Sequence, residues 1–334
     1  PVPWLWWWGW WELTALAALP WVTRLFRSSP DRGLGVAKVL GPLAVVIPLW
    51  AAVAFGLVRF SLGSAWVATL AVVALGLAPP AGRRELRELW RTHRRAIVTV
   101  EVLTVVAFVA VLLLRSADPD LWYHPTGGEK PFGTAYFTAV ARSSTFPPAD
   151  PWFSGGAMNY YYGGWFALSV PTRLLGIRPE VALNLGIATV VSMAAAAAWS
   201  VGAGLAGRHR AAPGQAPPPR EGEGVGTAPP ATGIGLLAAV GLFLVGNLAS
   251  ARQQVERLGD ALGGRAVPAF DWWGVSRVSP GRIDIDEFPG WTVLFGDPHP
   301  HLLAIPVLLT LVAVLAGYAR ARRAGTTPSP GRGR

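Results

Sequence analysis

The chain contains no cysteine, so neither a disulfide framework nor a thiolate metal site is available to it, and its redox compartment stays open. Charge is sparse as well: 14% of its 334 residues are charged, against 52% hydrophobic. Soluble domains do not separate the two classes so completely, whereas here apolar residues fall in long blocks between short basic or Pro/Gly-rich stretches. Blocks of about 20 apolar residues match the hydrocarbon thickness that a helix must cross, because in lipid each backbone polar group has to be paired within the helix. The expected fold class is all-α, a polytopic integral membrane helix bundle. No internal repeat of fixed period is present, which removes solenoids.

A net charge of +10 would suit nucleic acid if the arginines formed one face. They cluster instead beside the apolar blocks, so membrane topology accounts for them and no nucleic-acid partner is expected. No basic segment with a cleavage site precedes the first block, and the chain runs from Pro1 to a Pro/Gly/Arg tail. A fragment or processed chain is expected.

Block one, Trp4 to Val22, opens with Trp4, Trp6, Trp7, Trp8, Trp10 and Trp11, an end that reads as interfacial because amphipathic rings favour the headgroup zone. Blocks two (Gly33 to Val58) and three (Phe60 to Ala78) form a hairpin around Arg59. The links bearing Arg24, Arg27 and Arg32, and Arg83, Arg84, Arg87, Arg91, Arg94 and Arg95, are cytoplasmic by the positive-inside rule. Block four, Ala96 to Leu114, then leads outward. Lys38 and Glu101 lie near the ends of their blocks and read as snorkelling residues, with lining a polar cavity as the alternative, and neither is given a role.

Asn159 to Gly176 decides the topology. If it spanned, the link bearing Arg208, Arg210 and Arg220 would fall outside, against the arginine bias. Laid along the outer interface, it lets Val181 to Gly204 return inward, Gly233 to Ser250 run outward and His301 to Tyr318 run back. The expectation is seven spanning helices plus one interfacial helix. The chain then divides into membrane helices one to four (1–114), a first outer loop with the interfacial helix (115–180), two further helices with a disordered cytoplasmic link (181–250, link 207–233), a second outer loop (251–300), and a last helix with a basic tail (301–334).

Eleven of the 19 acidic residues lie in the two outer loops: Asp118, Asp120, Glu129 and Asp150, then Glu256, Asp260, Asp271, Asp284, Asp286, Glu287 and Asp297. Carboxylates, histidines and aromatics converging at a membrane surface suit a polar group on a lipid carrier. The chain has two lysines among its 29 basic residues, and one of them, Lys130, follows Glu129. A compact ammonium kept against an arginine background points to a specific phosphate or carboxylate contact, with a surface ion pair as the alternative. Asn159 precedes Tyr160, Tyr161 and Tyr162, which on a helix point three ways, so at least one faces inward to hold a sugar or phosphate.

Arg277 is a natural phosphate clamp, or else a surface partner of Asp271. Asp297, His299 and His301 stand at alternate positions between two prolines. In an extended segment they share a face and present O and N ligands to one divalent ion, Mg, Mn or Zn; the other reading has the histidines bonding backbone groups.

These motifs, Gly128-Glu129-Lys130-Pro131, Phe146-Pro147-Pro148 with Asp150-Pro151-Trp152, Asn159-Tyr160-Tyr161-Tyr162-Gly163, Ser276-Arg277-Val278 and Glu287-Phe288-Pro289 with Asp297-Pro298-His299-Pro300-His301, together resemble the YYY membrane protein family, named for its tyrosine triplet. The resemblance covers nearly the whole chain. Where that family has Met-Asp after Glu-Lys-Pro and an apolar residue between Asp and His, this chain has Phe132-Gly133 and Pro298. Its members are usually longer, with more membrane helices beyond this point.

The family is in turn similar to GT-C glycosyltransferases, which take sugars from polyprenyl-phosphate carriers on the outer face. The resemblance implies a GT-C-like bundle in a prokaryotic plasma membrane, contacting lipid and a polyprenyl-phosphate-linked sugar. It implies Glu129, Asp120 or Asp150 as the base, Lys130, Arg277, Glu287, Asn159 and the tyrosines as substrate contacts, and a metal at Asp297, His299 and His301. The competing expectations are a transporter or flippase for lipid-linked saccharides and an envelope scaffold.

Overall fold

The computed structural model describes residues 3–27, 29, 31–122, 129–206, 231–244, 248–277 and 287–323. Most of the expected disordered link (207–230) lies outside them, as do Tyr123, Asn247, Asp284, Asp286 and the tail from 324 onward. Among the described residues the fold is all helical, with no strand.

Four helices are long and apolar enough to cross a membrane: α2 (Leu34–Ala54), α4 (Pro80–Ala117), α7 (Pro179–Ala206) and α12 (Pro300–Arg323), the last over Pro300–Arg320. A fifth is reached if α8 (Ala231–Leu244) and α9 (Ala249–Leu262), bent by 66°, make one broken span. The expected seven also included the segments of α1 (Pro3–Leu25) and α3 (Leu62–Leu77), which fall short of the same test. Seven tryptophans lower the hydropathy of α1, and α3 has 16 residues, roughly 24 Å of helix against a core of roughly 30 Å.

The tryptophan end of α1 is not simply an interfacial anchor. Trp7, Trp10 and Trp11 are buried in the core, with Trp7 Nε1 donating to Thr189 Oγ1 on α7 (2.8 Å) and Trp10 Nε1 to Thr69 Oγ1 on α3 (3.2 Å). Large rings with one polar handle pack well where a helical hydroxyl accepts that handle. Trp4 and Trp6 remain exposed.

Small residues bring the helices close. A Cβ on Gly41 of α2 would press on the backbone of Thr14 and Ala15 in α1, the close approach that drives association where lipid removes the hydrophobic incentive. Gly41→Ala is expected to cost about 1–3 kcal/mol through overpacking. Reversible unfolding in mixed micelles measures it, and wild-type stability would mean that the two backbones separate freely.

Helix ends sort onto two faces. On one, the α1–α2 link, the start of α4 and the ends of α7 and α12 meet. Arg32 pairs with Glu85 at 3.2 Å, Ser200 Oγ donates to Asp31 at 2.5 Å, and Arg320 donates to the Gly204 carbonyl. On the other, Phe60 in the α2–α3 turn donates its N–H to Ser144 O of the first loop at 2.8 Å, and Arg173 bonds the carbonyls of Phe60, Ala141 and Ser143.

The loops are more helical than expected. The first contains α5 (Lys130–Arg142) before α6 (Gly163–Leu175), and the second contains α9, α10 (Trp272–Ser276) and α11 (Pro289–Phe295). Helix α6, with 13 residues, is roughly 20 Å long and too short to span. It ends at Gly176, whose φ of 62° forms a left-handed cap that a side chain rarely tolerates.

Candidate site where the two loops meet

The site forms at the ends of α4, α7 and α12, where the first and second loops touch. Asp297 is buried, and its Oδ2 accepts the backbone N–H of Glu129 at 2.6 Å, a bond across 168 residues. Pro at the start of both α5 and α11 leaves the first-turn amide requirement lighter, and the Gly296 cap (φ 73°) turns α11 into the Asp297 segment.

His299 sits among three carboxylates: its Nδ1 is 3.5 Å from Glu129 Oε2, and its Nε2 is 3.5 Å from Asp297 Oδ2 and 3.9 Å from Glu287 Oε2. Glu287 is nearly enclosed, paired with Arg277 at 3.8 Å, and joined to it through a backbone bridge. Burial pushes its carboxyl above the ordinary value, against the pull of His299 and Arg277. Glu129, by contrast, keeps 48% of its side chain exposed. It is the carboxylate of this group open to a ligand.

The expected metal triad is not arranged as the alternating pattern predicted. Pro300 begins α12, because its ring suits the first helical turn, so His301 is on a helix and not in an extended strand. Its Nε2 lies 3.3 Å from Thr292 Oγ1, and its ring stacks on that of His299 at 5.8 Å. Among the described residues no group of three or more His, Asp or Glu is placed to hold a metal ion.

Lys130 is buried, not on the surface. It is 5% exposed, its Nζ lies 3.5 Å from the Asp120 carbonyl and 4.8 Å from the centre of the Phe295 ring. Beside it is a residue that the sequence reading passed over. Arg115, 1% exposed at the end of α4, gives Nε to Asn184 Oδ1 (2.8 Å) and one terminal nitrogen to the same Asp120 carbonyl (3.2 Å), while its other terminal nitrogen has no partner among the described residues. In the sequence it looked like one more arginine bordering an apolar block. Two buried cations thus meet at one carbonyl.

The remaining expected residues divide. Asp150 is committed locally: Oδ1 accepts the N–H groups of Trp152 (2.8 Å) and Phe153 (3.1 Å), and Oδ2 accepts the Tyr136 hydroxyl (3.1 Å). Asp120 Oδ1 accepts the Trp122 N–H at 3.2 Å. Asp271 caps α10 through Gly274, leaving Arg277 to Glu287. The tyrosine triplet precedes α6 instead of lying on a helix, yet its rings do diverge. Tyr160 packs on Phe132 and Tyr136, Tyr162 stacks on Phe146, and Tyr161 is exposed, as is Asn159. Burial and then the charges of Glu129 and Asp297 raise the Tyr160 hydroxyl above its ordinary value, which puts that ring beside the carboxylate cluster.

A family model described as an uncharacterized membrane protein (DUF2298) matches residues 44–329. The chain belongs to this family. The family match takes in the second half of α2, the helices after it and both loops of the site. No curated protein and no solved structure matches the chain.

Proposed function

We propose that this membrane protein is a GT-C-like glycosyltransferase, taking a sugar from a polyprenyl-phosphate carrier at the outer face of a prokaryotic plasma membrane. The observation that carries the reading is the half-exposed Glu129 carboxylate held between the two loops, together with the buried cations Lys130 and Arg115 that meet at the Asp120 carbonyl. In this reading the acceptor hydroxyl oxygen attacks the anomeric carbon, the bond from that carbon to the phosphate oxygen breaks, and Glu129 takes the hydroxyl proton. The carrier leaves as polyprenyl phosphate, its charge met by Lys130, Arg115 and Arg277. His299 orients Glu129, and Tyr160, Tyr161, Tyr162 and Asn159 border the sugar. No step is routed through a metal.

The reading includes the seven-span topology, with α1 and α3 crossing alongside the longer helices and α6 along the interface. A transfer assay with labelled polyprenyl-phosphate sugars in membranes, against membranes lacking the protein, tests the activity; no transfer from any such donor would remove it. Orientation is tested separately. The absence of native cysteine lets Arg91→Cys and Thr145→Cys be probed with an impermeant thiol reagent in intact cells. Position 145 should label and position 91 should not, and the reverse pattern would put both loops in the cytoplasm.

A further inference from the structure

Apart from the loop site, three ionisable side chains meet between α1, α2 and α4, Glu12 with 27% and Glu101 with 45% of its side chain exposed. Lys38 on α2 is 8% exposed. Its ammonium donates to Glu12 of α1 and, at 2.7 Å, to both carboxylate oxygens of Glu101 on α4. Glu12 has nine residues of α1 before it, Glu101 comes eight residues after the break in α4 at His93, and Lys38 is the fifth residue of α2.

With all three ionised, two carboxylates and one ammonium carry a net charge of −1. In a low-dielectric interior such a surplus is far more costly than binding one proton. Among the described residues the neighbouring elements supply no second cation. Helix α7 faces the group with Thr189, Ser192 and Met193, α3 carries no ionisable residue over its length, and on α4 Arg94 and Arg95 are exposed about two turns away. At the nearer end of α2, Arg32, six residues before Lys38, is held by Glu85, and Arg320 lies with Asp31 and Gly204.

Two spaces adjoin the group. One is a cavity of about 300 Å³ between α1, α2 and α4, walled by Leu16, Leu19, Ile97 and Val100 apart from the three charged residues. The other, of about 10 Å³, lies on the α7 side and is lined by Glu12, Lys38, Thr104, Thr189, Ser192 and Trp11, roughly the room one water needs. Trp11 is 5% exposed, and its Nε1 donor has no partner among the described residues. A fixed ion pair needs neither a void nor an uncommitted donor beside it.

We propose that Glu12, Lys38 and Glu101 form an intramembrane proton-binding site in which the two glutamates share one exchangeable proton. The ligand is the proton itself, and the site supplies the chemistry of a proton-coupled step within the membrane. It is independent of the sugar-transfer reading, since none of its residues reaches the loops.

Dicyclohexylcarbodiimide tests this on the full chain in lipid vesicles, because it couples to protonated carboxyls in apolar surroundings and not to carboxylates. Peptide mapping by mass spectrometry should find an adduct on Glu12 or Glu101, with yield falling about tenfold per pH unit above the titration midpoint. Glu12→Gln should abolish labelling of Glu101, and Glu101→Gln labelling of Glu12, because either leaves a neutral pair with no proton to share. No adduct at either glutamate of the wild-type chain from about pH 5 to about pH 9 would overturn the proposal, whatever the variants do. So would undiminished labelling of the remaining glutamate in a folded single variant, since the proton would then belong to one acid alone.

Discussion

Glu129→Gln is expected to fold normally and to lose sugar transfer by about 10²–10⁴, the range that removing a general base covers. Folding should survive because the tie between loops uses the Glu129 backbone N–H and the Asp297 carboxylate, not the Glu129 side chain. Gln keeps the size of Glu and its contact with His299, but it takes no proton. The rivals are separated by their bonding. Asp150 already receives two backbone amides and the Tyr136 hydroxyl, so Asp150→Asn should loosen the loop and lower transfer mildly. Asp120 binds the Trp122 amide through its side chain, while its carbonyl receives Lys130 and Arg115, so Asp120→Asn should also be mild. Transfer rates per folded protein, with the labelled carrier as donor, decide among them. Near wild-type transfer by Glu129→Gln with loss in Asp150→Asn would move the base to Asp150.

What was legible in the sequence was long-range and statistical. Apolar block length marks helices because lipid forbids unpaired backbone, and arginine bias orders the links, so the convergence of both loops on one face followed before any contact was known. Hydropathy carries less about helices whose partners are other helices. Trp7 and Trp10 read as interfacial anchors because their ring chemistry suits headgroups, yet threonines on α7 and α3 accept their N–H groups in the core. The same ambiguity explains the gap between seven expected spans and the four or five that satisfy length and hydropathy.

Side-chain partnerships were legible only where neighbours in sequence stay neighbours in space. The Asp297-His299-His301 pattern assumed an extended backbone, and one proline acting as a helix start redirected His301 to Thr292. Glu129 and Asp297 were both singled out, but nothing in the order of residues joins positions 168 apart. Lys38 and Glu101 looked like separate snorkelling residues because each was weighed against the nearest interface. They are 63 residues apart and bonded directly, with Glu12 completing the group.

That group leads to the second large effect. Lys38→Met is expected to destabilise the bundle by about 3–5 kcal/mol, the cost of breaking a buried ion pair by removing one partner, because the two glutamates are left facing each other without a cation. Met matches the length of the lysine stem, so packing of α2 against α1 and α4 changes little and the loss reports on charge. Adding Glu12→Gln and Glu101→Gln to Lys38→Met should restore most of the stability, since no uncompensated charge then remains in the bundle. Either glutamine alone should rescue only partly. The measurement is the folded fraction against denaturant in mixed micelles, where the expected loss is a factor of at least about 10² in the folded-to-unfolded ratio. Wild-type stability in Lys38→Met would mean that the carboxylates are solvated, Glu101 being 45% exposed, and that the lysine holds nothing together. A loss that the triple variant fails to recover would instead assign the effect to packing of the lysine stem.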